Sequence, residues 1–234
     1  MKSQKVTAPE NKMHGKWYDD ACGAAFAMEL IGERWSLPII RELMMGGRRF
    51  SDIRASLPGI SAKMLTERLT SLEGCGIVMR VTLGAPTPAK LYALTPWGQA
   101  LEPVTKALGW WSMQSPHFNP RLPLTPVSLM LSLRTMIDPK AARGWQVSVR
   151  FEVGRDRFDG QLADGELRIM RAPPEPGSAD LVFRAPAAND YLWVFYGKQA
   201  LGGPGLALEA EGDAALIGRF IAMFALPPRQ APPC

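Results

Sequence analysis

Four prolines in twelve residues, Pro116, Pro120, Pro123 and Pro126, constrain this chain more than any other feature of its sequence. Each fixes φ and removes a backbone donor, so neither a continuous helix nor a central strand can run through residues 115–126. The chain therefore reads as two parts meeting near residue 120. Its 234 residues allow this at about 150 residues per domain. Upstream the apolar spacing is mostly helical, and downstream it is mixed. The predicted organisation is a flexible N-terminus at 1–16, a first domain at 17–115, a Pro-rich linker at 116–125, a second domain at 126–226 and a Pro-rich tail at 227–234.

A hydrophobic share of 47% and a charged share of 21% exclude a disordered tail protein, a collagen-like fibre and a coiled-coil rod. The most apolar stretch, Leu216 to Leu226, is interrupted by Arg219 and falls short of the ~20 residues that span a bilayer. The first residues show no apolar signal core. A soluble, cytoplasmic chain without membrane insertion is expected. Cys22, Cys75 and Cys234 form neither a disulfide framework nor a metal-ligand spacing, and His14 and His117 are the only histidines. No metal and no cofactor are expected. The net charge of +5 is concentrated in residues 1–115, with 14 Lys/Arg against 10 Asp/Glu, which favours a polyanionic partner for that half.

In the first half, Asp19 or Asp20 can cap a helix running to about Glu33, and a second follows from Arg34 to Met45 before Gly46-Gly47. A short third helix, Phe50 to Leu57, ends at Pro58-Gly59. Ser61 caps a fourth through Glu73. The β-branched run Ile77 to Leu83, a Gly/Pro turn at Gly84 to Ala89, and Lys90 to Leu94 make a hairpin. Thr95-Pro96 opens a last helix to Gln114. Helices, a hairpin and a closing helix outline a winged helix-turn-helix.

The fourth helix has two faces. Leu65, Leu69 and Leu72 form an apolar stripe, and a step of ~100° per residue places Lys63, Thr66, Glu67 and Thr70 opposite it. These side chains can meet base edges or phosphates. Arg68 falls nearer the leucines, as a structural arginine or a flanking phosphate contact. Arg48 and Arg49 before the third helix, Ser51 at its start, Ser61, and Arg80 and Lys90 flanking the hairpin turn complete the predicted DNA-binding set. The turn itself carries no basic residue, so phosphate contact rather than minor-groove insertion is expected of the hairpin.

Residues 22–112 resemble the HxlR family of winged helix-turn-helix transcriptional regulators, relatives of the MarR group. The segments that carry the resemblance are CGAAFAMELIGERW (22–35), RRFSDI (48–53), LPGISAKMLTERLTSL (57–72), Gly76-Ile77-Val78 and YALTPWG (92–98). The resemblance implies a homodimer on a double-stranded, pseudo-palindromic DNA operator, the fourth helix of each subunit entering successive major grooves. It also implies that terminal helices form the dimer interface, with Leu108, Trp110 and Trp111 as candidates. Cys22 occupies the position of a thiol sensor found in some members. The residues themselves leave two readings open: a helix N-terminus favouring thiolate there, or a small apolar filler.

In the second half, Thr125-Pro126 starts a helix through Ile137, and Trp145 to Val153 alternates as a half-buried strand. A hairpin (157–171), a strand (180–185), an aromatic-rich helix (186–196), a strand (206–211) and a helix (213–225) complete an α+β domain, predicted as an antiparallel sheet covered by helices. No catalytic arrangement is present, so no enzyme is expected. Ala179 to Gly197 and Leu206 to Phe224 resemble sterol-carrier-protein-type domains, which implies an apolar site for a hydrophobic small molecule. Phe158, Trp193, Phe195, Phe220, Met223 and Phe224 are the candidate lining. The predicted function is a dimeric DNA-binding regulator with an apolar effector. Two alternatives are a regulator switched by oxidation of Cys22 and a lipid carrier whose N-terminal helices only dimerise.

Overall fold

The computed structural model describes residues 18, 20–83, 89–175 and 177–230. Asp19, the hairpin turn at 84–88, His14, Cys234 and the rest of both termini lie outside the described residues. The described residues form two compact units: those up to Ile40 with Arg48–Gln99, and Arg41–Gly47 with those from Ala100 onward. The Pro-rich segment 116–125 belongs to the second.

In the first unit α1 (Gly23–Ile31) starts later than its spacing predicts. Cys22 is its N-cap residue, and the Asp20 carboxylate accepts from the Cys22 N–H at 3.0 Å instead of capping the helix. Next, α2 (Ser36–Leu43) also starts late, because Trp35 lies in the left-handed region at φ 79°; its residues from Arg41 on count with the second unit. α3 (Phe50–Ser56) and α4 (Ala62–Gly74) flank a turn in which Gly59 adopts φ 90°. A side chain would be strained there. The Trp35 ring comes within 4.0 Å of where its Cβ would stand. Ile39, Ile40, Ile53, Leu65, Leu69 and Leu72 are buried.

β1 (Val78–Leu83) and β2 (Ala89–Leu94) pair antiparallel from Val78↔Leu94 to Leu83↔Ala89. Thr95 then opens α5 (Pro96–Gln99), its hydroxyl accepting from the Gly98 N–H at 3.0 Å and donating to the Gly76 carbonyl at 2.7 Å. Gly98 approaches so closely that a Cβ would stand 2.1 Å from the Ile77 carbonyl oxygen. The single helix expected from Pro96 to Gln114 is broken after Gln99. Pro103 has no N–H to give the Gln99 carbonyl, and its ring would collide with it.

The second unit opens with α6 (Glu102–Met113) and α7 (Pro126–Met136). Thr125 caps α7 by accepting from the Ser128 N–H at 3.1 Å, and its hydroxyl donates to buried Glu42 at 2.7 Å. β3 (Gln146–Val153), β4 (Asp156–Ala163) and β5 (Glu166–Arg171) form a meander. β6 (Leu181–Ala185), α8 (Ala188–Phe195), β7 (Glu209–Glu211) and α9 (Ala214–Ala222) follow. The strand order is β5-β4-β3-β6-β7, and β3 pairs with β6 in parallel, Val149↔Leu181 to Val153↔Ala185. The sheet is therefore mixed, not antiparallel as expected. The reason is topological: the chain crosses from β5 at one edge to the far side of β3, and there enters β6 in the direction of β3. Tyr191, Phe151, Phe183, Phe195, Phe220 and Phe224 form the core, with ring centroids 5.1–5.2 Å apart along Phe183, Phe195, Phe224 and Phe220. Edge-to-face contacts at such spacing add to the gain from burial.

Candidate nucleic-acid interface and effector cleft

α4 is built to expose one side. Ser61 Oγ accepts from the Met64 N–H at 3.1 Å, satisfying a first-turn donor and fixing where the helix starts. The leucine stripe is then fully withdrawn from solvent, while Lys63, Thr66, Glu67 and Thr70 are exposed on the other side. Lys63 and Glu67 lie 4.0 Å apart as an i,i+4 pair, and the Thr66 hydroxyl donates back to the Ala62 carbonyl at 2.9 Å. Arg68 is drawn out of this face. Its guanidinium pairs with Glu33 at 3.2 Å and is mostly buried, so it ties α4 to the segment after α1.

The flanking residues divide in the same way. Arg49 and Ser51 are exposed at the start of α3. Arg48 is buried: its guanidinium donates to Ser56 Oγ at 2.8 Å, and its N–H and carbonyl both bond to Tyr92 at 2.8 Å. It joins the start of α3 to β2 and is not placed to meet a phosphate. Arg80 is exposed, paired with Glu73 at 3.1 Å and lying over the Tyr92 ring, and Lys90 is exposed beside the turn. Cys22 is exposed, which disfavours the filler reading. The N–H groups of Ala25 and Ala24 at the start of α1 hold its thiol below the ordinary thiol range. Cys75 is partly covered, and burial raises its thiol above that range.

In the second unit the six residues expected to line an apolar pocket separate. Phe158, Phe195, Phe220, Met223 and Phe224 are buried in the packed core, where the Phe195, Phe220 and Phe224 rings pack against one another. Trp193 alone of the six lines a cleft, of about 710 Å³, within the ~300–1,000 Å³ usual for small-molecule sites. α6, α7 and α8 wall the cleft together with the segment after α6. Asn189 clamps that segment, accepting from the Leu124 N–H and donating to the Leu122 carbonyl, both at 3.0 Å. The chain's last described residues return to the end of α6, with the Gln230 N–H donating to the Gln114 carbonyl at 2.8 Å. This cleft is hidden in the sequence because the prolines of residues 116–125 mark that segment as a linker. Phe118, Leu122 and Leu124 were the available signal, being apolar residues in a segment expected to be solvated.

α6 leaves Leu108, Trp110 and Trp111 exposed, Trp111 by 72%. Among the described residues no three His, Cys, Asp or Glu side chains gather as a metal site, and no helix is long and apolar enough to cross a membrane.

Residues 30–118 match the family model described as HxlR-like helix-turn-helix. The chain is 45% identical over 89 residues to the HTH-type transcriptional regulator YodB of Bacillus subtilis (strain 168), covering 38% of this chain and 79% of that one. It is 37% identical over 89 residues to the uncharacterized HTH-type transcriptional regulator YvaP of the same organism, covering 38% of this chain and 82% of that one. Among solved structures, the reduced form of YodB from B. subtilis is 38% identical and covers 42% of this chain and 97% of that one, with a TM-score of 0.38. These relatives are regulators, not enzymes, and each is matched over most of its own length and less than half of this chain.

Proposed function

Because the chain belongs to the HxlR-like helix-turn-helix family, and is thereby a DNA-binding transcriptional regulator, we propose that it acts in the cytoplasm as a homodimer on a pseudo-palindromic operator and answers to an apolar effector held by its second unit. The observation that carries this reading is the face of α4, on which Lys63, Thr66, Glu67 and Thr70 stand exposed opposite a buried leucine stripe. In this reading α4 enters the major groove, and Arg49, Ser51, Arg80 and Lys90 meet phosphates from α3 and the hairpin, which serves as a wing. Ser61, Arg48 and Arg68 hold those elements in place. Leu108, Trp110 and Trp111 meet their copies in the dimer. The sterol-carrier likeness of the second half belongs to the same proposal, with the cleft rather than the filled core as the effector site. An effector changes DNA affinity only through different affinities for the competent and incompetent states.

Fluorescence anisotropy tests it, with DNA from the chain's own upstream region beside scrambled DNA across a salt series. A preference of ~10³-fold or more with a steep salt slope is expected. Equal, weak binding to every promoter fragment tried, with lipid exchange between vesicles, would overturn it in favour of a lipid carrier.

A second reading rests on Cys22, exposed at the start of α1 with its thiol favoured as thiolate. We propose that its oxidation or alkylation lowers operator affinity. Cys22→Ser should bind DNA normally and lose the oxidant response; an unchanged response would dispose of this reading.

A further inference from the structure

Taking the second unit as the part that holds the effector, we infer that the cleft between α6, α7 and α8 selects an apolar molecule bearing one negative charge, with its head group on Lys106. Met113, Leu131, Leu192 and Trp193 make the cleft apolar, and among the described residues no Asp or Glu lines it. Its basic residues are Arg41, Lys106 and His117. The Arg41 charge is already balanced, since Nε and Nη2 donate to fully buried Glu42 at 3.3 and 3.1 Å. The other charges near Lys106 are balanced as well: Arg134 pairs with Glu102, and Glu166 with Arg168 at 2.9 Å. Lys106 makes no ion pair among the described residues. His117 is exposed. The cleft thus has one surplus fixed positive charge.

The hydroxyls of the cleft offer little competition. Ser112 donates to the Gly109 carbonyl, Thr135 to the Leu131 carbonyl, Ser128 shares a bond with Thr125, and Ser132 shares one with Tyr196 at 2.7 Å; the Thr105 hydroxyl has no partner among the described residues, but its oxygen is buried and not exposed to a head group. A neutral polar head would have to break these bonds. A carboxylate instead meets an ammonium that makes no ion pair among the described residues and feels Glu166 only at a distance, and a charged hydrogen bond in a partly dry site is among the stronger ones. A cation would face Lys106 across an apolar space, where repulsion is poorly screened.

The test is equilibrium dialysis of the full chain with decanoate, decanol and decylammonium. Decanoate should bind once per chain, at least about tenfold tighter than decanol, and decylammonium least. Lys106→Met should bring decanoate to the decanol affinity. Gly109→Leu should abolish binding of all three by filling the cleft. It should fold, because a Cβ at position 109 meets only the Met113 methyl, at 4.0 Å, and leucine favours helix over glycine. Equal binding of decanoate and decanol, both lost in Gly109→Leu, would overturn the charge selection and leave the effector reading standing. Binding that survives Gly109→Leu would overturn the cleft as the site. Decanoate affinity that falls as protein concentration rises would make a second copy of the chain the occupant and overturn the inference. No binding of any of the three would overturn it together with the effector reading.

Discussion

α4 and α6 are both amphipathic helices of similar length, yet one is finished within the chain and the other is not. α4 buries Leu65, Leu69 and Leu72 completely and offers solvent its polar side chains. α6 buries no residue completely and leaves Val104, Leu108, Trp110 and Trp111 exposed. A helix whose apolar stripe is satisfied has only polar groups left for a partner, as nucleic acid requires. A helix with exposed tryptophans has apolar area left, as association with a second copy requires. Position in the chain separates these roles less well than what remains uncovered after folding.

The contrast is sharpest in stability. Leu69→Ala removes a fully buried side chain and should cost about 2–5 kcal/mol in urea denaturation. Trp111→Ala removes a larger side chain that is 72% exposed and should change single-chain stability by less than ~0.5 kcal/mol. If the two variants melt alike, the assignment of finished and unfinished helices is wrong.

Self-association should separate them in the opposite sense. Trp111→Ala should weaken the dimer by about 2 kcal/mol, or roughly 30-fold in Kd, as for an aromatic anchor at an interface. Sedimentation equilibrium reads this directly, and an unchanged dimer would remove Trp111 from the interface. On α4, Lys63→Ala should lower operator affinity about tenfold and reduce the salt slope by about one, while the melting curve stays that of the parent. Arg68→Ala should do the reverse, costing stability through loss of the Glu33 pair and leaving the salt slope as it was.

How much of this was legible follows the range of the forces involved. Ser61, the leucine spacing and the glycines Gly74 and Gly76 specify α4 from within its thirteen residues and their immediate neighbours, so its two faces could be read directly. The break after Gln99 was also legible, because Pro103 stands inside the helix expected there. Arg48 was not: its partners include Ser56, eight residues away, and Tyr92, forty-four residues away. Nothing in the local pattern separates it from Arg49. The parallel pairing of β3 with β6 and the cleft beside α6 likewise depend on where distant segments return. The aromatic residues after Phe158 were legible as apolar, but spacing alone does not distinguish a lined pocket from a filled core.

The two described cysteines give the smallest effect and the same comparison at the level of one atom. Cys22 is exposed where the N–H groups of Ala25 and Ala24 stabilise its thiolate, and its pKa is lowered; Cys75 is partly covered after α4, and its pKa is raised by burial. Only the thiolate is alkylated. In a Cys234→Ser background, the iodoacetamide rate at Cys22 should therefore reach half its plateau below the pH at which an ordinary thiol does, and the rate at Cys75 should do so above it. Linkage carries the same signs: a lowered folded-state pKa gives Cys22 a stabilising share that appears as pH rises past the folded value. The raised pKa of Cys75 costs stability as pH rises past the unfolded value. Peptide mapping after alkylation at several pH values separates the two sites. Coincident profiles would mean that the helix N-terminus does not act on Cys22, and the thiol-switch reading would lose the observation on which it rests.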